Sequence, residues 1–251
     1  MDAFVKSEYS SGICTVEFYH PASNSLPGEI LASIANAITE AGLNDEVKVI
    51  ILKSSGERAF CAGASFDELV AISNEAEGLK FFSGFANVIN AIRVCPKFVI
   101  GRVQGKAVGG GVGLAAAVDH CFATKHASVK LSELAIVIGP FVVGPAVERK
   151  LGTSGFAQLT INATSWKDAN WAAQYGLYSE VFDTAEEMDT AISTLAEKLS
   201  SSSPEAMAEL KKVLWTGTED WNELLTERAA ISGRLVLSDF TRNAIASFKS
   251  K

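Results

Sequence analysis

The chain has 251 residues, 48% of them hydrophobic, and a formal net charge of −7. That length suits one large domain or one domain with a smaller appendage, and the acidic balance opposes a sequence-independent grip on phosphate backbones, so no nucleic-acid partner is expected. No window approaches the roughly 18 to 20 continuous apolar residues that span a bilayer, and MDAFVKSEYSSG lacks the pattern of a secretory signal; no membrane partner and a cytoplasmic location are therefore expected.

In chain order, Ile13 to Phe18 reads as a strand, followed by a turn through His20, Pro21 and Asn24. Pro27 opens a helix whose Ile30, Ile34 and Ile38 recur at helical spacing, with Gly42 as its stop. Val47 to Lys53 is a buried strand. Gly78 to Val94 places Phe81, Phe85, Val88, Ile89 and Ile92 on one helical face, and Pro96 ends that helix. Strands at Lys97 to Gln104, Asp119 to Thr124 and Ser128 to Leu131, with a short helix from Gly110 to Val118, continue the alternation of strand and helix. After Met188 helical patterns take over, at Ile192 to Leu199, Glu205 to Leu214, Trp221 to Ile231 and Asp239 to Phe248. The serine run before Pro204 marks the start of a helical C-terminal appendage near residue 200, giving a division into 1–199 and 200–251.

Cys14, Cys61, Cys95 and Cys121 lie far apart without a CxxC pair and read as buried free thiols. The three histidines, His20, His120 and His126, form no metal-ligand spacing, so no metal is expected. Asp119 beside His120 has no accompanying GxSxG and reads as ordinary strand sequence. Lys97 and Lys130 read as solvated. The segment QGKAVGGGVGLAAAVDH completes neither GxGxxG, because Leu114 and Ala116 stand where the third glycine is needed, nor a P-loop, because Ile100 holds its first position.

Glycine is disfavoured in helices and strands, so the cluster Gly109, Gly110, Gly111 and Gly113 calls for a compensating use. A strand entering a glycine-rich turn and then a helix presents free N–H groups and the positive end of a helix dipole. Without a phosphate motif, the anion held there can be one that develops during reaction, such as a thioester oxygen becoming an enolate. A second turn of this kind, AFCAGASFDEL, leads into a helical start at Ala59 to Leu69.

These segments resemble the enoyl-CoA hydratase/isomerase (crotonase) superfamily. AFCAGASFDEL is similar to its first oxyanion-hole segment, CPKFVIGRVQGKAVGGGVGLAAAVDHCFAT to its second, and WKDANWAAQYGLYSEVF to its A-x-x-A-x-x-x-G-L element at Ala169, Ala172, Gly176 and Leu177; HPASNSL and SDFTRNAIASF also fit. The resemblance implies a ClpP/crotonase-like α/β fold of repeated ββα units with a C-terminal helical trimerisation region, assembled as a trimer or dimer of trimers. It also implies an acyl-CoA thioester substrate, with coenzyme A belonging to the substrate and no separate cofactor. The backbone N–H groups of Ala64 and Gly110 would hold the thioester oxygen, and Ser65, Phe66, Asp67, Gly111, Gly113, Pro140 and Phe141 would line the substrate site.

Hydratases of the family carry two glutamates. The second matches Glu133 in KLSELAIVIGP, seven residues before Pro140, whereas the first falls on Gly113. Hydration of a 2-enoyl-CoA, with Glu133 activating water and a further water in space left at Gly113, is the favoured reading, and GGGVGL with SEL and IGPFVVGP is most similar to the methylglutaconyl-CoA hydratase branch. The loss of a side chain at 113, with Phe141, Val142 and Val143 as apolar lining, is expected to leave room for a branched acyl chain. Isomerisation of a 3-enoyl-CoA by Glu133 alone is the alternative, and a non-catalytic acyl-CoA-binding protein is a third reading. The usual G-A-D is Gly63-Ala64-Ser65 here, and no side chain is assigned to the CoA phosphates.

Overall fold

A computed structural model describes residues 1–249 of the chain. Strands β1 (Phe4–Ser10) and β2 (Ile13–Tyr19) form an antiparallel hairpin, and the short β3 (Ser25–Leu26) delivers the chain to α1 (Gly28–Leu43). Then come β4 (Val49–Ser54), β5 (Ala59–Cys61), β6 (Gly63–Ala64), α2 (Phe66–Ala71) and α3 (Glu75–Val94). The middle of the chain supplies β7 (Phe98–Val103), β8 (Lys106–Val108), α4 (Gly110–Ala117), β9 (His120–Thr124) and β10 (Val129–Lys130). A single 3₁₀ turn at Glu133–Ile136 precedes α5 (Gly144–Ile161), α6 (Ala169–Gln174), β11 (Glu180–Phe182) and α7 (Ala185–Ser200). Helices α8 (Pro204–Leu214), α9 (Trp221–Leu235) and α10 (Asp239–Lys249) complete the described chain.

Six strands make the main sheet in the order β1-β2-β4-β7-β9-β11, parallel except for the first pair. Strand alternation divides its side chains between two cores. Cys14, Val16, Phe18, Ile50 and Leu52 face α1 and α3, while Val49, Ile100 and Phe122 face Met188, Ile192 and Ala196 of α7. The α1 stripe of Ile30, Ile34 and Ile38 is buried as its spacing predicts, although the helix runs through Gly42 to Leu43 before Asn44 ends it. Helix α3 starts at Glu75, ahead of Gly78, because Asn74 accepts from the Glu77 N–H at 3.0 Å and supplies the cap. Gly78 is instead where α9 crosses α3: a Cβ there would lie 2.7 Å from Cα of Gly233. All four cysteines are free and buried. Among the described residues no helix is long and apolar enough to cross a membrane.

A second sheet, ordered β10-β8-β5, and the β3-β6 pair carry the segments on which the site is built. In it the middle strand β8 runs directly into α4, with β5 on one side and β10 on the other.

Candidate active site

The glycine-rich turn joins β8 to α4. Gly109 caps α4 at φ 53 and ψ −116, a conformation that residues with a Cβ avoid, and its N–H is tied to the Lys130 carbonyl at 2.9 Å. A Cβ on Gly109 would also meet Glu133 Oε1 at 2.9 Å, so bare backbone lets the carboxylate lie against the start of α4. The same closeness recurs along the cluster, where a Cβ on Gly110 would enter the Phe85 ring at 2.3 Å and one on Gly111 would reach the Cys61 carbonyl oxygen at 2.4 Å. The first N–H groups of α4 have no partner one turn earlier, as at every helix start. The second turn meets the first directly, since a Cβ on Gly63 would stand 3.8 Å from the Gly110 nitrogen.

Ala64, Gly110 and Glu133 all open onto one cavity of about 440 Å³, within the range that holds small molecules. Its walls are mostly apolar: Phe81, Phe82 and Phe85 come from α3 and Phe141, Val142 and Val143 from the segment before α5. Leu69 and Ile138, also on the wall, pack with Val236 and with Ile245 of α10, so the C-terminal helix backs the cavity. Ser232 of α9 reaches it as well.

Glu133 begins the 3₁₀ turn. Its Oε2 is sealed from solvent, and no group among the described residues donates a hydrogen bond to it. Burial disfavours the charged form and raises its pKa from the ordinary 4.5 to about 7, against a smaller opposing effect of its own backbone N–H. The turn closes on Val137, at φ 63 in the left-handed region, an unusual place for a β-branched residue. Its N–H bonds the Leu134 carbonyl at 3.0 Å, and its own carbonyl accepts from Thr241 Oγ1 of α10 at 3.3 Å.

Of the other residues singled out in the sequence, Phe66, Pro140 and Phe141 line the cavity. Ser65, Asp67, Gly111 and Gly113 do not. Ser65 caps α2 by accepting from the Glu68 N–H at 3.3 Å, Asp67 is exposed on that helix, and Gly111 is pressed against Cys61. Gly113 corrects an expectation: a Cβ there would meet Val143 Cγ1 at 2.4 Å, so the space beside it is filled by valine rather than left open for water or an acyl branch. Among the described residues, Glu133 is the only carboxylate on the cavity wall.

Three further expectations change. Asp119 is no ordinary strand residue, since its buried carboxylate accepts from the Val99 N–H and Trp215 Nε1, each at 2.8 Å, and pairs with buried Lys211 at 2.9 Å. Lys97 is half-buried and donates to the Ala41 carbonyl at 3.0 Å and to that of Asn44, fastening the end of α1. Lys130 is half-buried on the cavity wall, with Nζ 4.6 Å from the centre of the Trp166 ring. Its pairing with Val108 becomes visible only once β10 is set beside β8.

Comparison with known proteins gives one consistent picture. A family model described as enoyl-CoA hydratase/isomerase matches residues 8–245. The peroxisomal Delta(3,5)-Delta(2,4)-dienoyl-CoA isomerase of Arabidopsis thaliana is 28% identical over 240 residues, covering 89% of this chain and 84% of its own. The mitochondrial methylglutaconyl-CoA hydratase of Homo sapiens is 31% identical over 200 residues, covering 78% of this chain and 58% of its own. Among solved structures, an enoyl-CoA hydratase from Bacillus halodurans superposes with a TM-score of 0.90 at 19% identity, over 97% of this chain and 99% of that one, which establishes the shared fold.

Proposed function

This chain belongs to the enoyl-CoA hydratase/isomerase family, and from that premise we propose that it moves the double bond of a 3-enoyl-CoA thioester to the 2-position, with Glu133 as the only acid and base. The observation that carries this reading is that Glu133 is the lone carboxylate on the cavity wall among the described residues, with Val143 filling the space beside Gly113. Hydration across C2 and C3 has both a water and a proton to handle, which two carboxylates share more readily than one. Isomerisation needs one group that takes a proton and gives it back.

In the proposed reaction the thioester oxygen lies between the N–H groups of Ala64 and Gly110, and the Glu133 carboxylate removes a proton from C2. The C–H electron pair becomes the C1–C2 double bond of a dienolate, and negative charge collects on the thioester oxygen. Glu133, now neutral, returns the proton to C4, the C2–C3 double bond forms, and the carbonyl is restored. Each backbone donor is worth about 3 to 4 kcal/mol to the charged oxygen. Burial of Glu133 serves both halves, because a group with a pKa of about 7 is a base strong enough to take the proton and an acid strong enough to return it. No cofactor takes part in this scheme, and coenzyme A enters only as part of the substrate.

Hydration of a 2-enoyl-CoA is the second reading, favoured by the similarity to the human protein named methylglutaconyl-CoA hydratase. Product mass, read together with the ultraviolet absorbance of a conjugated 2-enoyl thioester, separates the two for 3-hexenoyl-CoA and crotonyl-CoA. We expect 3-hexenoyl-CoA to rearrange at unchanged mass; conversion of crotonyl-CoA to a product heavier by one water, with 3-hexenoyl-CoA inert, would replace isomerisation with hydration.

A further inference from the structure

We propose that the Phe81 ring sets the length of acyl chain this protein accepts, by closing the catalytic cavity against a groove on the outer side of α2 and α3. The inference rests on the acyl-CoA reading above and holds for isomerisation and hydration alike.

The first observation is position. A second hollow, of about 660 Å³, lies between the start of α1, the outer side of α2 and α3, and among the described residues Phe81 alone lines both it and the catalytic cavity. Helical spacing explains this. Phe81 is one turn from Glu77 and Gly84, which line the groove, and one turn from Phe85, which lines the cavity, so it stands on the boundary between two faces of α3. The α2 segment divides in the same way, with Leu69 on the cavity and Ala71 and Ile72 on the groove. The two helices form a partition, and the Phe81 side chain is the part of it that touches both spaces.

The second observation is a continuous apolar surface. Leu69 and Ile138 of the cavity wall belong to one buried cluster, and Ile136, Phe81 and Ile72 all pack against it. Apolar contact therefore runs from the turn that begins at Glu133, through Ile136 and Ile138, past Phe81 to Ile72 in the groove. A hydrocarbon chain anchored by its thioester at Ala64 and Gly110, with its reacting carbons at Glu133, gains most by following that surface. Each methylene taken out of water tightens binding about fourfold. The third observation is that the ring is held. Phe81 is half-buried and packs edge-on against Phe82, with centroids 5.0 Å apart and planes at 90°. A chain that reaches it meets a supported wall, and a longer one must displace it.

Titration calorimetry with saturated, unreactive acyl-CoAs from butanoyl to dodecanoyl tests this. In the parent protein, affinity should rise about fourfold per methylene and then stop rising within the series. Phe81→Ala should carry the rise on by about two methylenes or more, so that dodecanoyl-CoA binds the variant at least about tenfold tighter than it binds the parent. Phe81→Leu should extend the rise less, and Phe81→Trp should end it earlier. Both keep a large apolar side chain on the cluster, so the order of stopping lengths is readable from them if the alanine variant does not fold. Adding Ala71→Trp, which fills the groove, to Phe81→Leu or Phe81→Ala should cancel the extension. An unbroken rise to dodecanoyl-CoA in the parent overturns the inference. So does one stopping length shared by the parent and its Phe81 variants, or an extension that survives Ala71→Trp. The same titrations report separately on the underlying reading: if the parent binds none of the acyl-CoAs, the acyl-CoA assignment of the cavity falls too, whereas binding without a length limit removes only the part given to Phe81.

Discussion

Two buried carboxylates, Asp119 and Glu133, receive opposite treatment in this fold. Asp119 has a backbone N–H, an indole N–H and a lysine ammonium around it, each within 2.9 Å, and through them it fastens α8 to the main sheet. Glu133 has an oxygen with no donor among the described residues, on a turn that ends in a left-handed valine. A buried charge that is fully paired holds structure together; one left unpaired costs stability and is kept where chemistry uses it. Of the two, only Asp119 departs from the reading of the sequence, in which it had no special part.

The sharpest way to break this contrast is Glu133→Gln, which keeps shape and removes the base. Turnover of 3-hexenoyl-CoA should fall by about 10⁴-fold, and an unchanged rate would remove Glu133 from the chemistry. Next in size is Asp119→Ala, which strands the Lys211 ammonium in a buried site; denaturant unfolding should show a loss of about 3 to 5 kcal/mol.

Glu133 predicts the opposite sign. Its folded pKa of about 7 lies above the ordinary 4.5, so between those values the native chain holds a proton that the unfolded chain has released. Stability therefore falls as pH rises through that window and levels above it, by about 3 kcal/mol in all. Unfolding of Glu133→Gln at pH 8 should show it more stable than the parent by about that amount, with the difference shrinking near pH 4.5. The same titration places the acid limb of kcat/KM near pH 7, and a limb near 4.5 would mean that the carboxylate is solvated. The smallest effect belongs to Gly113→Ala, whose added methyl must displace Val143, for a loss of about 1 to 3 kcal/mol; combining it with Val143→Ala should restore most of that loss.

The periodic elements were legible from the chain. The four-residue spacing of Ile30, Ile34 and Ile38 and the stripe from Phe81 to Ile92 announced α1 and α3, because burying one face repeats with the helical turn. Ordered motifs pointed to Ala64, Gly110 and Glu133, which the folded chain brings around one cavity. Strands of two or three residues, such as β3, β6 and β10, carry too little pattern to read, yet they set where the two turns meet. Contacts distant in sequence were equally hidden. Nothing local to Gly113 announces Val143, nothing local to Asp119 announces Lys211 and Trp215, and Lys130 reads as a surface lysine until Trp166 is folded over it.

Val137 ties these regions together. Its carbonyl is held by Thr241, and its neighbour Ile138 packs with Ile245, so the turn that presents the proton carrier is braced by the last helix of the chain. Shortening the protein by that helix would register first as a loosened carboxylate and a leaky pocket, while the six-stranded sheet kept its order.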